Sequence, residues 1–185
     1  VLHEPHLRLL CHEGEFQPLL GELVLHKLDA VLSDRPAPPN PALKTTSQLL
    51  GTSALAWYAP APWAAAARQN FPLSLAQVPL LLPTEHAAVR ARINHWLERE
   101  HIRPRIAGEF EDSALLSTFA ASGMGVMPAP LLLQTHLHTT CALELVGTTP
   151  DVHEEFHLIY SERKVMHPLL VRLLAIAVDE SLLNS

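Results

Sequence analysis

The chain has 185 residues, 48% of them hydrophobic, enough apolar surface for a true core, which excludes a disordered segment. A formal net charge of −6 excludes a stretch that grips nucleic acid by its phosphates, which would need clustered Lys and Arg. Two cysteines are too few for a disulfide scaffold, no apolar run has the length of a membrane span, and the first residues lack a signal-peptide layout, so a reduced, cytoplasmic setting is expected.

In chain order, "HLRLLCHE" has a short apolar centre that turns polar and reads as a buried strand ending near Glu13, with Gly14 as its break. Phe16, Leu19, Leu20, Leu23 and Val24 then recur at helical spacing, which predicts an amphipathic helix ending near Lys27. "LDAVLSD" reads as a second strand, stopped by "RPAPPNP", which is too rich in proline for a helix or a central strand. Strand, helix and strand in that order predict a parallel α/β unit.

"LKTTSQLLGTSALAWYAP" reads as two extended pieces pivoting at Gly51, "WAAAARQN" as a short helix and "LAQVPLLLP" as ending in a buried strand. Thr84 is placed to cap the next helix, with Val89, Ile93, Trp96 and Leu97 inward and Arg90, Glu98 and Arg99 outward. "RPRIAGEF" is the following strand. Asp112 or Ser113 then caps a helix with Leu115, Leu116, Phe119 and Ala120 on its inner face, closed by Gly123 as a left-handed cap. "MGVM" predicts a brief strand and "PAPLLLQTHL" a helix begun by proline, so this region repeats the architecture of the first. "ALELVG" and "EEFHLIYSER" read as separate strands divided by "TTPD", and a last helix from His167-Pro168 would bury Leu170, Leu173, Leu174, Ala177 and Val178.

In open parallel sheets, ligands sit beyond the carboxyl ends of the strands, where loops feed helix N-termini. Glu13-Gly14-Glu15, Asp34-Arg35, Pro83-Thr84-Glu85 and Glu109-Phe110-Glu111-Asp112 all hold such positions, and a fold that lines those strand ends along one cleft would gather them. Asp112 has a structural use as a helix cap, and Glu111 is favoured by the helix dipole. Glu109 has no such use and is the more informative carboxylate. Gly123 and Gly125 read as backbone devices, since "GMG" is too short a pattern for a phosphate loop. Twelve histidines raise the question of a metal, and His136, His138 and Cys141 form the tightest cluster, but a closed zinc site needs four convergent ligands and no second pair has the spacing. His95, beside Trp96, reads as a packed ring.

Catalysis finds no assembled machinery. There is no G-x-S-x-G elbow, nothing in sequence activates Cys11 or Cys141, and Ser33 beside Asp34 makes no triad without a placed histidine. Glu109 and Glu111 share a strand face, as a glycosidase pair would, yet nothing else resembles a sugar cleft. A regulatory binding module, a stand-alone solute-binding protein and, less readily, an enzyme on the same scaffold are the classes left open; catalysis is not expected.

Three stretches, "EGEFQPLLGELVLHKLDAVLSD", "FPLSLAQVPLLLP" and "GEFEDSALLSTFAASGMGVMPAP", resemble the effector-binding domain of LysR-type transcriptional regulators. The resemblance implies two Rossmann-like lobes of the type 2 periplasmic-binding-protein fold, joined by two crossover strands. One lobe would comprise 1–47 and 152–185, the other 48–151, with crossovers at "LKTTS" and "LVGTTPDVH". It implies an effector cleft between the lobes, with Glu13, Gly14, Asp34 and Arg35 from the first and Pro83, Thr84, Glu85, Glu109 and Phe110 from the second. Thr84, offering a hydroxyl and a helix N-terminus, would suit a small anion or polar group.

The family's N-terminal winged helix-turn-helix has no counterpart in this chain, so DNA binding is expected only of a full-length protein. The opening strand and helix of the first lobe are also expected to be missing. "HKLDAVLSD", "GEFEDSALLSTF" and "HEEFHLIYSERKVMHP" narrow the likeness to regulators that activate a sodium/proton antiporter gene. That implies a transcriptional activator responding to sodium, with no cofactor unless a sodium ion is the effector. Glu109, Glu111 and Asp112 would be its oxygen donors, since hard cations take oxygen ligands. A homo-oligomer, dimer or tetramer, is the implied assembly, with no membrane partner.

Overall fold

The computed structural model describes residues 8–39, 44–161 and 169–172. The elements are α1 (Phe16–Val24), β1 (Val31–Ser33), β2 (Thr45–Ala59), α2 (Ala61–Arg68), β3 (Pro79–Pro83), α3 (Ala88–Arg99), β4 (Arg105–Phe110), α4 (Ser113–Ala121), β5 (Met127–Pro130), α5 (Gln134–Cys141) and β6 (Glu144–Ser161). A four-stranded sheet runs β1-β6-β2-β5, and β3 pairs with β4 in parallel. Val126, just ahead of β5, bonds to the other edge of β3: its N–H donates to Pro79 at 2.8 Å and its carbonyl accepts from Leu81 at 2.9 Å. The strands therefore pass from β1 to β4 almost without a gap.

Alternation along β2 builds the main core. Leu55, Trp57 and Ala59 point to one face, where they meet α2, α3, Leu80 and Leu82. Ala56 and Tyr58 point to the other, against Leu81 and the α4 residues Leu116 and Ala120. The result is a sheet with helices on both faces. A third, smaller cluster of Leu20, Leu23, Val31 and Ile159 packs α1 onto β1 and the far end of β6. β2 and β6 are the long antiparallel pair that spans from this small cluster to the large core, Thr45 opposite Ser161 at one end and Ala59 opposite Glu144 at the other.

Several expectations hold. α1, β1, α2, β3 and β4 lie where the patterns put them. Gly123 has φ +95° and donates to the Ala120 carbonyl at 2.9 Å, the left-handed cap of α4. A Cβ on Gly125 would lie 2.4 Å from the Pro79 oxygen, so this glycine is required where the chain passes β3. The pivot at Gly51 is a register shift between Leu49 and Gly51 within one continuous β2.

Others need correction. Described residues 8–15 form no strand, and Leu9 and Leu10 are exposed. Among the described residues no strand precedes α1 and β1 pairs with β6 alone, antiparallel, so the expected first parallel unit is not seen among them. "TTPD" does not divide two strands: Ala54 pairs with His153 and Leu55 with Thr149, so residues 150–152 bulge out of a continuous β6. Pro150 has no N–H to give a ladder and is tolerated there. The helix read from Pro128 begins at Gln134, because Pro128 and Pro130 are paired in β5. Leu115 and Phe119 of α4 are exposed, leaving Leu116 and Ala120 as its buried face, and His95 is exposed as well. Of the expected last helix, residues 169–172 are helical and the remainder lies outside the described residues.

Candidate functional site

The loop between β3 and α3 is held from within by Arg90. Its side chain is 4% exposed, and its guanidinium meets Glu109 at 2.6 Å and Glu85 at 3.2 Å, donates to the Pro83 carbonyl, and reaches Asn94 Oδ1 at 3.0 Å. Arginine suits this role because its planar fork supplies several donors at once. The assignment of Arg90 to solvent is therefore wrong. Its spacing from Ile93 and Leu97 puts it on the apolar face of α3, a signal the sequence carried.

The same loop is gripped from outside by the turn after β1. Asp34 Oδ2 accepts the Ala88 N–H at 2.7 Å, and Arg35 Nη2 donates to the His86 carbonyl at 2.6 Å. Arg35 Nε also pairs with Asp34 Oδ1 at 2.9 Å, and its guanidinium lies 5.5 Å from the Phe16 ring centre. Ala87 is the N-cap of α3 and contributes no side-chain cap, so the carboxylate of Asp34 supplies one from 54 residues away. Thr84 does not cap; its N–H donates to the Phe110 carbonyl at 3.0 Å and its carbonyl accepts from Ala87. Burial pushes the Asp34 carboxyl up, but the hydrogen bonds from Arg35 and Ala88 more than offset this and leave it below the usual carboxylate range.

One turn along α3, Arg92 donates to the His153 carbonyl and lies 3.8 Å from Glu155, which pairs with His157 Nε2 at 2.8 Å. His157 Nδ1 is buried without a partner. Glu154 is pushed above the ordinary range, first by burial and then by the charge of Asp34, with Arg92 opposing. The glutamate of Glu155 is held low, chiefly by its His157 hydrogen bond. None of Arg92, Glu154, Glu155 and His157 stood out in the sequence. Arg92 and His153 are 61 residues apart and leave no local pattern, while Glu155 and His157, two apart on one strand face, carried a local signal that was missed.

Of the residues expected at a cleft, Asp34, Arg35, Pro83, Thr84, Glu85, Glu109 and Phe110 gather around the start of α3. Glu13 and Gly14 lie in exposed chain ahead of α1 and are not brought into these contacts. Glu109 faces Arg90, not Asp34. Asp112 caps α4 by accepting the Leu115 N–H, and Glu111 is exposed. Among the described residues no three His, Cys, Asp or Glu side chains are grouped to hold a metal, so neither Glu109, Glu111 and Asp112 nor His136, His138 and Cys141 form such a group. No helix among the described residues is long and apolar enough to cross a membrane.

Two connecting strands, helices on both sheet faces and polar strand ends converging on a helix start are the marks of a binding domain of the periplasmic-binding-protein type. The family profile of the LysR substrate binding domain matches residues 2–181, and the chain belongs to that family. Transcriptional activator protein NhaR of Escherichia coli K12 is 29% identical over 167 residues, which is 90% of this chain and 54% of NhaR. The chain thus spans about half the length of this curated relative. In fold it is similar to the cofactor-binding domain of the Cbl transcriptional regulator, with a TM-score of 0.68 and 18% identity over 89% of this chain and 72% of that one. It is likewise similar to the effector binding domain of QuiR in complex with shikimate, with a TM-score of 0.59 and 13% identity over 90% and 78% of the two chains. The protein is an effector-binding domain of a LysR-type regulator, with the type 2 periplasmic-binding-protein-like α/β fold.

Proposed function

We propose that this domain senses a small polar molecule in a cleft between two lobes, and that its occupancy sets DNA binding and transcriptional activation by a full-length regulator in the cytoplasm. The lobes would be residues 1–47 with 152–185, and 48–151. The register shifts in the β2–β6 pair, at Leu49/Gly51 and Ala54/Leu55, fall close to those boundaries and would serve as hinges. The observation that supports the reading is the meeting of Asp34 and Arg35 with the first turn of α3, polar groups that the proposed division assigns to different lobes.

Occupancy would work by population shift: a ligand touching both sides favours one interlobe angle by its difference in affinity for the two. QuiR, a domain of this fold, is known in complex with shikimate, which supports a small-molecule occupant. Sodium, implied by the narrower resemblance, gains no support from Glu109, whose cation is Arg90. A second copy of the chain is the proposed assembly partner, and the exposed apolar side chains of Ile106, Leu115, Phe119 and Met124 offer it a surface. The reading is tested by thermal-shift titration with a panel of small polar metabolites, and with sodium against potassium chloride at equal ionic strength. A saturable shift from one metabolite, with equal responses to the two salts, is expected. A sodium-only response would replace the small molecule by the ion, and no response to any addition would remove direct sensing.

A further inference from the structure

β2 and β6 are hydrogen-bonded along their whole length and carry bulges, so they resist being stretched apart yet allow bending at the irregular positions. What fixes the angle must lie outside that pair. The described contacts that do so converge on one face of α3. Asp34 and Arg35 hold its first turn, through the Ala88 N–H and the His86 carbonyl. Arg92, four residues after Ala88 and so on the same face, holds the His153 carbonyl and faces Glu155. The opposite side of the same helix is turned inward by Arg90, Ile93 and Leu97.

We propose that the Asp34–Arg35 pair is an internal strap, an autoinhibitory contact that holds the loop 84–88 against the turn after β1 and has to part before a ligand can enter between them. The inference rests on the cleft reading above. Its chemistry suits a strap. Both bonds are charge-assisted, and they run in opposite senses, a carboxylate accepting from one residue and a guanidinium donating to another two positions earlier, so a single displacement breaks both. The pair is half-buried, 26% exposed at Asp34 and 40% at Arg35, so water and solutes reach it. Phe16 backs the guanidinium, which couples any movement of the strap to α1. The positive end of the α3 dipole is already met by Asp34, so an incoming group gains nothing from that dipole until the strap opens.

Hydrogen exchange in the ligand-free chain tests this together with small-angle scattering. Asp34→Ala should speed exchange at Ala88 about tenfold, speed it also at the amides of residues 153–155, and raise the radius of gyration. Asp34→Asn, which keeps an acceptor oxygen but loses the charge, should do the same by about threefold. Arg35→Ala should resemble Asp34→Ala, and the Leu116 amide in α4 serves as the unaffected control. Faster exchange confined to 86–88 with unchanged scattering would reduce Asp34 to an ordinary cap and overturn the strap, as would unchanged protection at Ala88. Should Asp34→Ala fail to fold, Asp34→Asn and Arg35→Ala decide alone. Because no ligand is present, opening without any metabolite response would sink the sensing proposal and leave the strap. Metabolite binding with unaltered exchange in the variants would do the reverse.

Discussion

Arg90 and Arg35 both reach the loop between β3 and α3, from opposite sides and in different surroundings. Arg90 is buried and satisfied by Glu85, Glu109, Asn94 and a backbone carbonyl, all within 19 residues of it in sequence. Arg35 is part-exposed and reaches across 51 residues of sequence, using one carboxylate neighbour and one carbonyl. A buried guanidinium has no cheap alternative to its partners, because parting from them strands its charge in a poorly solvated place. A part-exposed pair exchanges its partner for water at small cost. The inner arrangement therefore fixes the loop's shape, and the outer one sets where the loop lies relative to β1.

The sharpest way to break this comparison is at Arg90. Arg90→Ala takes the donor from Glu109 and the Pro83 carbonyl and leaves a void where the buried side chain stood, so stability to urea should fall by about 2 kcal/mol, the part-exposed glutamates turning to water. A loss under about 1 kcal/mol would mean that the buried guanidinium is not the loop's anchor. Next in size is Glu109→Gln. The carboxylate is 46% exposed and Arg90 keeps its other partners, so a loss of about 1 kcal/mol is expected. Exchange at Ala88 should be unchanged in this variant, since Glu109 belongs to the inner arrangement. A tenfold acceleration there would show that the two arrangements are one.

Periodicity made the layers legible before any coordinates. Leu19, Leu20 and Leu23 announced α1, and the run 79–83 announced β3, because burial writes its period into the chain. The helix-closing Gly123 was equally plain. Reading failed where the deciding partner is remote. Asp34, not Thr84, caps α3, and no local rule links positions 34 and 88. "TTPD" reads as a break between two strands, yet β6 runs on through it and accommodates Pro150, which has no N–H to give a ladder, in the bulge at 150–152. Residues 8–10 look like a strand, but a strand needs a partner, and sequence pattern does not supply one. The candidate site was legible as a set of strand ends, and its division into anchored and strapped charges was not, since that depends on which arginine is buried.

The smallest expected effect concerns the outer side, where Glu154 and Asp34 are shifted in opposite directions. Asp34 is depressed, so its ionised form favours the folded chain at neutral pH, and that contribution is lost as pH falls through its folded pKa, below the ordinary value of about 4. Glu154 is raised, by burial and by Asp34, so its ionised form opposes folding at neutral pH, and the penalty fades as pH falls through the raised pKa toward the ordinary value. Glu154→Gln removes the charge that Asp34 faces and should stabilise the chain at pH 7 by less than about 1 kcal/mol, screening by water keeping the gain small. The gain should shrink steadily as the pH is lowered toward 4.5, where wild type carries more of the neutral acid. Urea unfolding at several pH values measures this directly. A gain that stays constant with pH would assign the effect to packing, and a loss at pH 7 would make Arg92, the one cation opposing the shift, the dominant neighbour of Glu154. In that case the charge beside the strap is paired, and the strap's outer flank is as anchored as the interior around Arg90.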